Sequence, residues 1–474
     1  MGRERGNGVR RWRLLVAAAA GAAVWFLPAP PGLAVAAWRL FAFFLFAILA
    51  VVLRGLPILT ASLLAGAGAV LSGTLPAKGL FAGFSEDFIL LIVAAFLLSR
   101  AVILSGLGAR IAYHVIRRIG GSPRGLLTSL FLTDALIAPA FPSNTARSGV
   151  LFPVAASLCE GLGADPAGPR RRLGAYLMVG SMVSLSLSSS LWLTAMAANP
   201  AGAGLALQAG VKVTFASWLA AAVVPVAACM MLLPWVLLRA VRPEVEKTPE
   251  APALAAEALG RMGPPSRKEW TTAAVFASLV AAWALGGLLP LDRTAAALLA
   301  LAVLMAAGVL RVEDFRKEGE ALEIWLWFAL LFTLSSELNR QGFMAWLGGF
   351  FAGALKGSHP VVAYLALVVG YVLLHYFFVS QSAHLFALYG VFLEVAVAAG
   401  VNPALAAYML LFATNFFSCI TPQGSSANVL FAGSGHLTTA EIYRFGGLAT
   451  AVNTGVFLLV GTPWILWAVN GFRG

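Results

Sequence analysis

Long apolar stretches, broken by short polar, glycine- or proline-bearing segments, recur from Leu14 to Val469. A hydrocarbon core needs roughly 20 apolar residues per helix. On that measure Leu14 to Leu27, Val35 to Val52, Pro57 to Leu71, Phe88 to Leu104 and Phe215 to Leu238 read as helices of a first half. Thr271 to Leu289, Thr294 to Leu310, Ile324 to Leu338 and Phe445 to Val469 read as those of a second. Between Leu126 and Ala198, and again between Val361 and Ala432, the apolar pattern is interrupted by Pro, Ser, Thr and Asn. The pattern predicts an all-α polytopic membrane protein with about 11 transmembrane helices.

The two interrupted regions are related. Pro123 to Pro166 lies against Pro360 to Pro403 at a constant offset of 237, which pairs Ser143-Asn144-Thr145-Ala146-Arg147 with Ser380-Gln381-Ser382-Ala383-His384 and Gly163 with Gly400. A shorter loop then changes the offset to 232, so that Leu173-Gly174-Ala175-Tyr176 meets Leu405-Ala406-Ala407-Tyr408. Upstream, Asp87 to Gly106 falls against Glu323 to Gly342. Self-similarity on this scale marks an internal repeat.

Composition settles the solvent. With 60% apolar and 11% charged residues, a chain of 474 residues cannot cover a water-exposed surface. The net charge of +12 therefore bears on topology before it bears on any acidic partner. Arg110, Arg117, Arg118 and Arg124 precede the first interrupted region, and Arg170-Arg171-Arg172 follow its first arms. At the matching places in the second half stand Arg340 and Lys356, with none in Ala398 to Ala406. Arg311, Arg316 and Lys317 mark a further basic loop. An alternating path puts most of the basic residues on the cytoplasmic side, leaving Arg39, Arg100 and Arg147 within spans. This requires halves of opposite topology.

The expected organisation is an N-terminal transmembrane helix over 1–30, a first repeat over 31–240, a cytoplasmic linker over 241–269 and a second, inverted repeat over 270–474. Each repeat carries a re-entrant hairpin, at about 124–165 opening to the cytoplasm and at about 361–402 opening outward. Arg3, Arg5, Arg10, Arg11 and Arg13 place the N-terminus inside, whether Leu14 to Leu27 is retained or is a signal peptide ending near Ala29-Pro30. The C-terminus then lies outside a plasma (inner) membrane. Cys159, Cys229 and Cys419 are far apart in apolar sequence and read as packing residues.

Where could chemistry reside? At the hairpin tips, Pro139, Pro142 and Ser143-Asn144-Thr145, with Ser380-Gln381-Ser382 opposite them in the alignment, supply short hydroxyls, amides and helix ends suited to an anion or small cations. A second interrupted stretch, Ser184 to Asn199, holds Ser188, Ser189 and Thr194, and its partner holds Asn415, Thr421, Ser425 and Ser426. Each is expected to be unwound and to face the tip of its own hairpin. Serine and threonine in membranes also bond to the preceding helical turn or help helices pack. Repetition at equivalent places beside helix breakers favours the site reading.

Arg147 and His384 occupy matching positions. An uncompensated guanidinium at that depth costs several kcal/mol. A dianion, or Asp134 on the other arm of the hairpin, would compensate it; Asp134 is also open to reading as a proton carrier or a cap. His384 reads as a ligand or as a packing residue, and His114, His359, His375 and His436 are placed outside the site. The chain has no Gly-rich nucleotide loop, no paired catalytic carboxylates and no metal-ligand spacing, so no cofactor is expected.

At Ala140-Phe141-Pro142-Ser143-Asn144-Thr145-Ala146-Arg147 the chain resembles the divalent-anion/sodium symporter family, whose hallmark is a Ser-Asn-Thr motif at each hairpin tip. It is most similar to the citrate/dicarboxylate antiporter branch, through Thr133-Asp134-Ala135, the Ser-Asn-Thr-Ala-Arg run and the Ser-x-Ser-Ala-His run, over nearly the whole chain from about Trp38 onward. The resemblance implies a homodimer with a scaffold and a sliding transport domain. It also implies that Ser143, Asn144, Thr145, Ser380, Gln381 and Ser382 touch substrate carboxylates. Gln381 and Ser382 depart from the Ser-Asn-Thr pattern.

The expected activity is secondary transport of di- or tricarboxylates such as 2-oxoglutarate, malate, succinate, citrate or tartrate, without nucleic-acid partners. A fixed Arg147 charge at an empty site argues for exchange of anions. The alternative is sodium-coupled symport, with sodium as a possible bound ion. A membrane-embedded serine hydrolase using His384, or an anion channel, are the readings from other classes.

Overall fold

The computed structural model describes residues 7–286, 291–316, 319–354 and 358–471. Arg3, Arg5, Leu289, Lys317 and Lys356, used in the reading above, lie outside them. Among the described residues all regular structure is helical. Eight helices among the described residues are long and apolar enough to cross a membrane, including Val35–Val52, Asp87–Ser105, Arg171–Leu191, Phe215–Val241 and Gly319–Arg340. Shorter apolar helices run Ile58–Leu71, Arg293–Ala306 and Pro403–Phe416. Phe26, Leu71 and Leu459 are each at least 80% exposed, which a lipid solvent accepts and water would not.

The helices form two compact units that cut across the repeats. One comprises Met1–Val93, Ala201–Lys212 and Gly319–Leu410; the other comprises Ala94–Pro200, Val213–Glu318 and Leu411–Gly474. The first hairpin therefore shares a unit with the last part of the second half, an association through space that the repeat alignment does not contain.

The repeat itself is visible element by element. Helix Pro123–Ile137 is matched by Pro360–Leu374, each of 15 residues with proline in its first turn. Three-residue 3-10 turns follow, Ala138–Ala140 and His375–Phe377. Helices of 18 residues, Asn144–Gly161 and Gln381–Ala398, then begin on N-cap serines with nearly the same backbone angles, φ −140° and ψ 128° at Ser143 and φ −148° and ψ 129° at Ser380. Proline tolerates the first turn because its missing N–H would be unpaired there, and a serine N-cap satisfies another of those orphan donors.

The segment read as a linker contains a helix, Glu250–Met262, that buries Ala251, Ala255 and Leu259. It closes on the basic helix Leu107–Ile119. Thr248 donates from its hydroxyl to the Gly120 carbonyl at 2.8 Å and from its backbone N–H to that of Gly121 at 3.1 Å. Arg110 forms a two-bond ion pair with Glu269 and donates to the Gly263 carbonyl at 3.0 Å. Nearby, Glu244 accepts the backbone N–H groups of Arg172 and Leu173 at 2.9 and 3.0 Å, capping the start of Arg171–Leu191 from another segment. Burial pushes the Glu244 carboxyl up, but these bonds and the Arg172 side chain hold it below the usual carboxylate range.

Cys159, Cys229 and Cys419 are buried free thiols, as their apolar settings indicated.

Candidate functional site

The first tip is built on the start of Asn144–Gly161. Ser143 accepts the Ala146 N–H at 3.3 Å, and the Arg147 N–H returns to the Ser143 carbonyl. The break after Arg171–Leu191 grips the tip from the side. Ala197 N–H donates to the Pro142 carbonyl at 2.8 Å, the Thr194 hydroxyl to that of Pro139 at 3.0 Å, and the Trp192 indole to that of Ala135 at 2.8 Å. Ser143 and Asn144 are buried, and Thr145 is partly exposed.

Arg147 is fully buried directly behind the tip. Its Nη2 donates to Asn144 Oδ1 at 2.5 Å, to the Leu185 carbonyl at 3.0 Å and to Ser189 Oγ at 2.6 Å. Ser189 in turn lies 2.6 Å from Asn144 Oδ1. Asp134, also fully buried, stands with Oδ1 3.5 Å from Arg147 Nε, while its Oδ2 accepts from Ser184 at 2.9 Å and Ser188 at 2.5 Å. Asp134 thus stands within ion-pair distance of Arg147, the placement that the charge-partner reading requires. This corrects the charge argument for exchange: Arg147 is not an isolated cation at an empty site, because a carboxylate of the same unit faces it.

The serine run is a second correction. Ser184, Ser186, Ser188, Ser189 and Ser190 were expected in unwound chain, yet all are helical, and the helix runs to Leu191 before breaking at Trp192. Ser186, Ser188, Ser189 and Ser190 each bond back to a carbonyl three or four residues earlier, which lets hydroxyls sit in a buried helix without loss of its ladder. Only Ser184, Ser188 and Ser189 also reach the Asp134 and Arg147 side chains.

In the second half the break follows Pro403–Phe416 and precedes Asn428–Ala432, so Thr421, Ser425 and Ser426 lie in it, whereas Asn415, also expected to be unwound, is in the last turn of the helix. The partner of this break differs from the expectation, because Ser426 Oγ lies 2.6 Å from Thr145 Oγ1 of the first hairpin. The edge contact of Phe152 and Phe431, at 5.6 Å between centroids, packs Asn428–Ala432 onto the second arm of that hairpin and brings Ser426 to the tip. Asn415 and Thr421 are fully buried and Ser425 nearly so.

Two residues that the sequence reading did not single out hold these breaks. Asn199 donates its side-chain amide to the carbonyls of Ser189 and Trp192 at 2.9 and 3.2 Å. Asn428 donates to those of Ser418 and Thr421 at 2.8 and 3.0 Å, with identical spacing along the chain. Asn415 then bridges to Asn199 Oδ1 at 2.7 Å. The signal was present in the pairing of Ala198-Asn199 with Ala427-Asn428, each ten residues beyond a serine, but at a different offset from the rest of the repeat.

The second tip, in the other unit, repeats the cap. Ser380 accepts from the Ala383 N–H at 3.3 Å, and Gln381, Ser382 and His384 are buried behind it. His384 differs from Arg147 in its surroundings, which are rings: Tyr371 edge-on at 4.3 Å and Phe378 at 4.8 Å between centroids. His375, placed outside the site from the sequence, has Nδ1 3.4 Å from Nδ1 of His384. Among the described residues there is no group of three or more His, Cys, Asp or Glu able to hold a metal ion.

The chain is similar over nearly its whole length to known proteins. YflS of Bacillus subtilis strain 168, provisionally named a malate transporter, is 40% identical over 97% of this chain and 96% of its own length. Dicarboxylate transporter 2 of the spinach (Spinacia oleracea) chloroplast is 36% identical over 98% of this chain and 83% of its own length. Among solved structures, MtrF of Neisseria gonorrhoeae aligns with a TM-score of 0.60 over 97% of this chain and 94% of its own, at 12% identity, which speaks to the fold alone. The relatives are transporters, which sets aside the hydrolase alternative. The model of the sodium:sulfate symporter transmembrane region matches residues 9–470, and the chain belongs to that family of membrane transporters.

Proposed function

We propose that this protein is a secondary carrier of di- and tricarboxylate anions of the malate, succinate, 2-oxoglutarate, citrate or tartrate type. The observation that carries the reading is the first tip, where a helix N-terminus capped by Ser143 presents Asn144 and Thr145 already oriented by Arg147, Ser189 and Ser426. Such an end is pre-organised for a carboxylate by its N–H groups and by the helix dipole. The names of the spinach and Bacillus relatives point to the same anions.

The proposed carboxylate contacts are Ser143, Asn144 and Thr145 at the first tip, with Arg147 behind them and the two breaks lining that tip, and Ser380, Gln381 and Ser382 at the second, with His384 behind them. The antiporter-branch motifs support anion exchange by an elevator movement in a homodimer. The arginine distribution supports an inner-membrane location with the N-terminus inside, the C-terminus outside and inverted repeats.

Sodium-coupled symport is the second reading, and the Asp134–Arg147 pair favours it. With that pair neutral, a bound dianion keeps both of its charges, and cations would offset them. The test is transport in proteoliposomes: labelled succinate outside, a panel of unlabelled carboxylates inside, with and without sodium. Uptake driven by internal carboxylate without sodium supports exchange, and sodium-dependent uptake into anion-free vesicles supports symport. No carboxylate flux under any condition would refute the carrier reading.

A further inference from the structure

The Asp134–Arg147 pair lies behind the tip rather than in its mouth, and every side chain bonded to it comes from Pro123–Ile137, Asn144–Gly161 or Arg171–Leu191. All three helices belong to one unit. The two charges therefore accompany the tip in both the empty and the loaded carrier. Arg147 keeps its proton in proteins, and the Asp134 carboxylate accepts from two serine hydroxyls, an acceptor role that suits its ionised form.

We propose that Asp134 sets the balance between strict exchange and net flux in this carrier, by fixing the charge of the substrate-free state. The inference rests on the carboxylate-carrier reading above. Exchange uses only loaded carriers in both directions, whereas net flux requires the empty carrier to return. The cost of placing charge in a low-dielectric medium rises as the square of that charge. For the wild-type pair, taken alone, the empty state carries 0 and the dianion-loaded state −2.

Replacing Asp134 by Asn adds one positive charge to both states, giving +1 empty and −1 loaded. The empty state becomes costlier and the loaded state cheaper. Replacing Arg147 by Gln does the opposite, giving −1 and −3. For any further charges that are the same in both states, a squared dependence shifts the difference between empty and loaded states in the same direction for a given substitution, so the fluxes are compared in sodium-free buffer, where no coupling cation joins the loaded state. A purely structural role for the pair, holding Asn144 in place, predicts no such opposition.

The experiment measures two fluxes from the same proteoliposomes loaded with labelled malate: efflux into buffer containing malate, and efflux into anion-free buffer. The readout is the ratio of net flux to exchange, which is insensitive to how much protein is active. Asp134→Asn is expected to lower the ratio at least tenfold, a barrier change of about 1.4 kcal/mol. Arg147→Gln is expected to raise it, and the double variant Asp134→Asn/Arg147→Gln to return it to within about threefold of the wild type.

Should wild-type net flux already lie below detection, its appearance in Arg147→Gln supports the proposal and its absence overturns it. If Asp134→Asn fails to reconstitute, Arg147→Gln against the double variant reads the same carboxylate. Single variants that shift the ratio in the same direction, or that lower both fluxes in proportion, overturn the proposal. Either result leaves carboxylate transport itself demonstrated, whereas absence of any flux in the wild type would refute the carrier reading instead.

Discussion

Glu269→Gln is the most direct test of how the region before the first hairpin is held. Glu269 and Arg110 are 5% and 9% exposed in their side chains and meet through two bonds, so neither charge is hydrated. Removing one partner of a buried pair typically costs 3–5 kcal/mol, because the other charge is left without compensation. Glutamine keeps an oxygen for the Ser266 N–H in the capping box at the start of Arg267–Leu285, which places the expected loss near the lower end, about 3 kcal/mol. For a chain of this size that corresponds to a fall in apparent Tm of about 3 °C. The measurement is thermal unfolding of purified protein in detergent at one fixed scan rate, since unfolding of such proteins is under kinetic control.

Arg110→Met/Glu269→Met should recover most of the loss, because it leaves no unpaired charge. The pH dependence follows from the same contacts. Burial raises the Glu269 carboxyl, but hydrogen bonds from Arg110 and Ser266 outweigh it and hold it below its ordinary value. Its contribution is therefore present above the unfolded value of about 4.3 and lost as pH falls through the lowered folded value. The wild-type advantage over Glu269→Gln should shrink on acidification below that point. A single variant that melts within a degree of the wild type, or a double variant no better than the single, would refute the account.

Two further outcomes are expected. Ser189→Ala removes the hydroxyl between Arg147 and Asn144, a charge-assisted contact of about 1.5–3 kcal/mol; the concentration giving half-maximal carboxylate transport should rise about tenfold, and an unchanged concentration dependence would contradict the positioning role. Asn199→Ala and Asn428→Ala each strip two carbonyls of their donor, one of them only part-buried at Asn199, at about 1–3 kcal/mol. Both should lower Tm, Asn199→Ala the more because it also removes the acceptor of the Asn415 amide, and an unchanged Tm in either would contradict the role given to these amides.

Much of this protein was legible in its sequence because the forces that set helices are local. Apolar windows as long as a bilayer is thick located the spans from Val35–Val52 through Gly319–Arg340. The offset of 237 located both capped tips to the residue, because a proline in the first turn and a serine cap act within three or four positions along the chain. Family membership followed from the same motifs.

What the tertiary structure decided depends on groups distant in sequence meeting in space. Asp134 faces Arg147 only because two arms of a hairpin close on a third helix, and that contact turns a lone cation into a neutral pair. Ser426 reaches Thr145, and Asn415 reaches Asn199, through the packing of the last segment onto the first hairpin. The serine run reads as irregular by composition, yet it is helical because its hydroxyls bond to its own preceding turns. Helix, cap and motif are set by short-range geometry, whereas the charge of the tip is set by packing, which no local pattern encodes.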